Sequence, residues 1–499
     1  ATAVRGFASA PGNVLINDRR PSAKQDSLSA ILTRIPAVTV ERVELIRGQV
    51  RSIDLRGQAV VVNLILRADI PAAVQWELSI RRTFDHGPFK PEASVSLADS
   101  WNDIEYNVGL NARRSSVGRE GEDKILDGEG ILQERRYDGR ENRNTFVKAS
   151  LNAASWWGET YWRSNLSYNF ADHNTYNVSL RVPEGSAGER QSLVDNFKER
   201  PVFEAGADLE RDLHPDFTGK AILLYSGGEE EGYSVQRELD PGGGLSLLRE
   251  ARSHTDTTET ITRLELDWSA PESHLVQANL ERAYNVLDGR LVQTDDTGAG
   301  PVTVDVPGAN TRVAETRWDF LLKDTWLLGN TVIDYGMGAE RSTISQTGDA
   351  VQERSFFFLK PQGVVTYTSA RGDQTRLEFA REVAQLDLEG FISATVFEDD
   401  DLALGNPDIR PDTTWLAELS HDRRFGPESV VRLTVYHHWI SDVLDLLPLS
   451  PVHPLPIGDN LQVNQPHRNC SAPEKKNSAQ QIQAAIGGLR FAGGRHENQ

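Results

Sequence analysis

One cysteine, Cys470, stands in a chain of 499 residues, so no internal disulfide forms. Near-absence of cysteine suits many compartments and selects none. Basic charge is also scarce: 53 Lys+Arg face 73 Asp+Glu, for a formal net charge of −20. Phosphate binding needs a basic surface, which excludes nucleic acid as the main partner. Long hydrophobic runs are missing too. A spanning helix needs about 20 consecutive apolar residues, and the longest runs here, such as VVVNLIL (60–66), are strand-length. The opening ATAVRGFASAPG has neither the basic start nor the apolar core of a signal peptide. Helical spans are excluded. A barrel is not, because its strands spread their apolar residues in alternation.

Alternation is what the sequence does contain. In TFVKASLNA (145–153), Val147, Ala149, Leu151 and Ala153 oppose Lys148, Ser150 and Asn152. In 262–268, Leu264, Leu266 and Trp268 oppose Arg263, Glu265 and Asp267. Successive strand side chains point to opposite faces, so each such segment has one apolar and one charged face. The apolar face is light, and Trp sits near segment ends (Trp76, Trp101, Trp156, Trp157, Trp268, Trp318, Trp326, Trp439), as in the aromatic girdles of membrane barrels. Short turns such as 102–104, 158–159, 214–216 and 329–330 alternate with long polar segments, 115–143, 171–201, 227–256, 285–312, 342–354 and 385–412. The expectation is an antiparallel up-and-down transmembrane β-barrel, incomplete at about 15 strands, with short turns at one rim and long loops at the other.

The first 70 residues break this rhythm. VLIN (14–17) reads as a strand and DSLSAILTRI (26–35) as a helix that Pro36 ends; VERVELIRG (40–48) and AVVVNLILR (59–67) read as two further strands. This is a small α/β unit joined directly to a barrel. VERVELIRG and AVVVNLILR together resemble the plug domain of TonB-dependent outer-membrane receptors. GNPDIRPDTTW (405–415) resembles the GNP motif found late in the barrels of that family, and the two signatures come in the family's order. The resemblance implies a partial plug over 1–70, a partial barrel over 71–449, and family-motif positions of structural role at Arg47, Gly48, Asn63, Gly405, Asn406, Pro407 and Pro411. It implies energy-coupled import of a scarce nutrient (siderophore, vitamin or carbohydrate) across the outer membrane of a Gram-negative bacterium. The implied partners are outer-membrane lipid, the TonB energy-coupling complex and a small nutrient ligand. A passive porin-like channel and a non-functional truncated fragment are the alternatives. By the family's pattern the TonB box and about seven strands are missing, and residues 450–499 read as an irregular tail that a shifted reading frame would explain.

GNPDIRP reads as a proline-stiffened lip at the outer mouth. No nucleophile motif, phosphate-binding loop or metal-ligand spacing appears, so no enzyme, cofactor or metal is expected. His437 and His438 adjoin in a strand and face opposite ways, which prevents chelation of one ion. The acidic runs EDDD (398–401) and EEE (229–231) read as solvated loop charge. Arg163, Arg263, Lys323 and Arg376 are expected to pair with Glu204, Glu265, Asp319 and Glu378 across strands rather than to hold an anionic ligand.

Overall fold

The computed structural model describes residues 14–18, 35, 37–47, 60–67, 72–82, 89–127, 130–185, 188–270, 273–397, 401–426, 429–448 and 458–465. Three strands come first: β1 (Val14–Ile16), β2 (Val40–Arg47) and β3 (Val60–Leu66). β3 is central, parallel to β1 and antiparallel to β2, so the apolar VVVNLIL belongs to a small sheet of its own. Its single polar residue, Asn63, is fully buried. The Asn63 amide donates to Asp18 Oδ1 at 2.6 Å and to Glu44 Oε2 at 3.2 Å, while its oxygen accepts from the Asp18 N–H at 3.1 Å. It thereby ties the turn after β1, where Asn17 and Asp18 take φ of 48° and 64°, to the sheet centre. The helix expected over 26–35 and Gly48 lie outside the described residues, apart from Ile35, and of Arg47 only the strand backbone is described.

The remaining strands follow: β4 (Ala73–Arg81), β5 (Lys90–Trp101), β6 (Ile104–Leu126), β7 (Leu132–Trp157), β8 (Thr160–Pro183), β9 (Arg190–His214), β10 (Phe217–Leu239), β11 (Leu245–Ala270), β12 (His274–Asp296), β13 (Val302–Val304), β14 (Asn310–Leu328), β15 (Thr331–Gly348), β16 (Gln352–Thr368), β17 (Gln374–Val383), β18 (Ala394–Val396), β19 (Asp401–Leu404), β20 (Thr413–Arg424), β21 (Val430–Ser441), β22 (Val443–Pro448) and β23 (Gly458–Gln465). Among the described residues the large sheet has 16 strands; β13 hangs on β12, and the others follow one antiparallel path from β4 to β21, each beside its neighbour in sequence once the connections holding β13, β18 and β19 are set aside. This is the expected meander. Four of the short-rim connections are two-residue turns, with Asn102 and Asp103 at φ 48° and 63° and Gly158 and Gly329 near 60°, the left-handed backbone that matches strand twist.

The long rim corrects the sequence reading. Segments 115–143, 171–201, 227–256 and 342–354 are not loops. β6 to β11, β15 and β16 run on through them, and the tips are short: 127–131, 184–189, 240–244 and 349–351. These stretches are polar on both faces, which hid the alternation, but an antiparallel ladder satisfies backbone groups whatever the side chains are. Two genuine long connections remain, 297–309 and 384–412. The tail reading is corrected as well. Residues 458–465 form β23, which pairs with β22 and β19 in a separate four-stranded sheet with β18. The barrel strands end at Ser441 rather than near residue 449, because Asp442, at φ 58°, turns the chain into that second sheet.

The two faces of the large sheet are inverted relative to a soluble protein. Leu223, Leu264, Leu266, Leu280, Phe320, Leu322, Met337, Leu359 and Leu377 are exposed, as are all eight of the tryptophans that suggested a girdle. The other face buries charge. Arg317 (2% exposed) reaches Glu281 at 3.0 Å, Arg263 reaches Glu265 at 2.7 Å and Glu281 at 3.5 Å, Arg376 reaches Glu378 at 2.6 Å, and Lys360 bridges Asp319 and Glu340. Pairing with acids is found, but Arg263–Glu265 and Arg376–Glu378 run along one strand rather than across strands, and the other two partners differ from those expected. Arg163 pairs with Asp208, not Glu204, and Lys323 lies 3.7 Å from Asp334 rather than with Asp319. The choice of partner depends on stagger between strands, which a single strand's pattern does not encode. Burying bare leucine face outward costs free energy in water and gains it in lipid.

Candidate functional site

The connection 384–412 does not stand at the mouth as a lip; it folds back against the enclosed face. The Ala384 N–H donates to the Asp412 carbonyl at 2.9 Å and closes its base. A short 3-10 turn, Leu388–Phe391, follows with Asp387 as its cap. Leu386, Leu388, Phe391 and Ile409 pack on Leu287 of β12, Val313 of β14 and Ile344 of β15. Phe397 joins Val194 of β9, Ala251 of β11 and Leu291 of β12, together with Val306 and Ala309 from the other long connection. The loop therefore covers the inner wall from β9 to β15.

The GNP turn is the hinge of this arrangement. A Cβ on Gly405 would lie 2.3 Å from the Phe391 carbonyl oxygen, so no side chain fits between the two passes of the loop. The Asn406 N–H donates to the Gly390 carbonyl at 3.0 Å, and the Asn406 side-chain oxygen accepts from the Asp408 N–H at 2.8 Å, an Asx turn. Ser393 Oγ donates to the Pro307 carbonyl at 2.5 Å and accepts from the Gly405 N–H at 3.0 Å, joining both long connections. From the wall, Arg354 of β16 donates to the carbonyls of Pro407 and Ile409 at 3.2 and 3.0 Å, and Gln352 reaches Asp408 at 3.1 Å. Pro411 is buried beside this clamp. Gly405, Asn406 and Pro407 thus stand in this turn and Pro411 follows it, whereas Asn63 lies in the first sheet. Sequence reasoning missed Arg354 and Ser393. Their partners are backbone carbonyls up to 86 residues away, which leave no mark in a local pattern.

Between this loop and β9–β12 lies a cavity of about 260 Å³. Lys198 and Arg200 line it together with Glu230 and Glu389, and Ser253, Thr255 and Thr257 add hydroxyls. Burial pushes the Glu389 carboxyl above its usual range; Asp387 adds to this, and Arg200 and Lys198 oppose it. The mixed cations, acids and hydroxyls suit a small, polar, charged molecule. On the opposite, outward face of β10 and β11, His254 Nδ1 stands 2.7 Å from Glu231, Nε2 3.0 Å from Asp256, and Glu229 is 3.8 Å away. The bonds to Glu231 and Asp256 hold the His254 pKa above its ordinary value, and one imidazole faces three carboxylates. The run EEE therefore lies in a paired strand, not in a loop. His437 and His438 face opposite ways, the one against Trp439 and the other against Tyr436. The acids 398–400 lie outside the described residues.

No family model and no curated protein matches the chain. Among solved structures, the copper transporter OprC matches with a TM-score of 0.50 and 11% identity, over 91% of this chain and 66% of that one. The ferric enterobactin receptor PfeA of Pseudomonas aeruginosa (TM-score 0.49, 14% identity) matches over 91% of this chain and 68% of its own. The outer membrane transporter YddB of Escherichia coli (0.49, 10%) matches over 91% and 64%. The chain spans about two thirds of the length of these structures. The first match carries the architecture: the chain shares the β-barrel fold of that structure.

Proposed function

We propose that this chain is the greater part of a TonB-dependent outer-membrane receptor that takes up a small nutrient, and that it performs no covalent chemistry. The observation that supports it most directly is the inverted sheet, with ion pairs on the enclosed face and unpaired leucine and tryptophan outside. Only a hydrocarbon surround makes that arrangement favourable. The separate sheet β1–β3 serves as the plug, and Asn63 holds it together. The ligand enters from the long rim and meets the cavity under connection 384–412, where Arg200, Lys198 and Glu389 select a small charged molecule. A passive pore is disfavoured because that connection, clamped by Arg354, is folded in against the enclosed face.

The full chain, expressed with a signal peptide in a Gram-negative host, is expected in the outer membrane. There it should migrate differently on a gel before and after boiling, and resist protease. Nutrient-limited growth that depends on both this chain and an intact TonB complex is the functional readout. Equal growth with and without the TonB complex would sink energy coupling while leaving the barrel.

A further inference from the structure

Most of the enclosed arginines are ion-paired. On the outward face, two arginines with no acid within reach among the described residues share a single row. Arg282 of β12 and Arg341 of β15 are direct neighbours of Trp318 on β14, one on each side, in a single row across three strands. Both are exposed, and among the described residues neither lies within salt-bridge distance of an acid. Their outward direction follows from alternation: Glu281, Ala283, Arg317 and Ser342, one residue away, are buried on the inner face. The Arg282 guanidinium stands 5.9 Å from the Trp318 ring centroid.

The row has a sharp position. One step toward the short rim, the outward residues are Leu264, Leu280, Phe320 and Ala339; one step away, they are Thr260, Tyr284, Thr316 and Thr343. The arginines therefore stand where the apolar band ends and a neutral polar zone begins. In a chain of net charge −20, two uncompensated cations two strands apart on a neutral background are a local positive site. A guanidinium fork matches phosphate oxygens in a bidentate manner, and an interfacial Trp lies against the upper acyl and headgroup region.

From this we infer that Arg282, Trp318 and Arg341 form a docking site for the phosphorylated headgroup of a membrane lipid, its acyl chains running down over Leu280 and Phe320. The inference rests on the outer-membrane reading and gives it a specific lipid contact.

The test uses the full chain in phosphatidylcholine nanodiscs, titrated with phosphatidic acid or with diacylglycerol of the same tails, with lipid retention read by native mass spectrometry. Phosphatidic acid is expected to be retained at least about tenfold better. The double variant Arg282→Gln, Arg341→Gln should reduce that preference to below about twofold, while Arg312→Gln, whose charge Asp288 already balances at 3.4 Å, should leave it unchanged. Inorganic phosphate in excess should not displace the lipid; displacement would overturn the headgroup assignment in favour of a free anion. Equal retention of the two lipids, or an unchanged preference in the double variant, would overturn the site while heat-modifiable migration still supported the barrel. Loss of heat-modifiable migration in the unmodified chain would overturn the membrane reading and this site with it.

Discussion

Each long strand carries two different solutions to the same alternation. Near the short rim, the outer face of β12 and β14 is apolar (Leu280, Phe320, Leu322) and the inner face ionic (Glu281, Arg317, Lys323). Nearer the long rim the two exchange. The inner face is apolar (Leu287, Leu291, Val313), and the outer face carries Asp288, Arg290 and Arg312. The period does not change; its phase does, because each apolar face follows whatever covers it. On the outer-membrane reading proposed above, lipid covers the lower outer wall; the folded connections 297–309 and 384–412 cover the upper inner wall. A strand in a soluble sandwich keeps one phase because its core lies on one side throughout.

The comparison breaks most severely in the lower interior. Glu281→Ala would leave Arg317 buried without its 3.0 Å partner and Arg263 without its second. Stranding a buried charge costs about 3–5 kcal/mol, so the urea midpoint of the folded barrel should fall steeply. If the midpoint held, the enclosed face would be fully hydrated. Phe320→Arg attacks the lower outer wall, where an arginine deep in the bilayer costs about 2–4 kcal/mol. Refolding yield into vesicles should drop, whereas the same change at outward-facing Ala314, higher on the strand, should be tolerated.

A third change sharpens the contrast at the upper inner wall. Gly405→Val would force the GNP turn off Phe391, with an overpacking cost of about 1–3 kcal/mol. Limited proteolysis should then cut within 384–412 while heat-modifiable migration persists, because the wall does not depend on the loop. The smallest effect belongs to the upper outer wall. The His254 pKa is raised by Glu231 and Asp256, so its contribution is fully present below the unfolded value, near 6.5, and is lost as pH rises through the raised folded value. Amide exchange at the tip of the β10–β11 hairpin should quicken slightly above neutral pH. The change should be small, since the cluster is solvated, and His254→Gln should abolish the pH dependence.

The sequence by itself determined the period, the order of the strands, the inward charge and outward tryptophans, and the strands of the small first sheet. These are local facts, set by side chains two residues apart and by turn residues such as Asn102 and Gly158. Only the tertiary structure decided where polar strands continue. The ladder of β10 against β11 runs through EEE and on to Leu239 with no apolar face to announce it. It decided which acid meets which base, since Arg163 finds Asp208 through the stagger of β8 on β9. It also decided that GNPDIRP is folded inward. Gly405 and its prolines mark a stiff turn in sequence, but Phe391, Ser393 and Arg354 are what that turn is built against, and no local pattern holds contacts made across fifty residues.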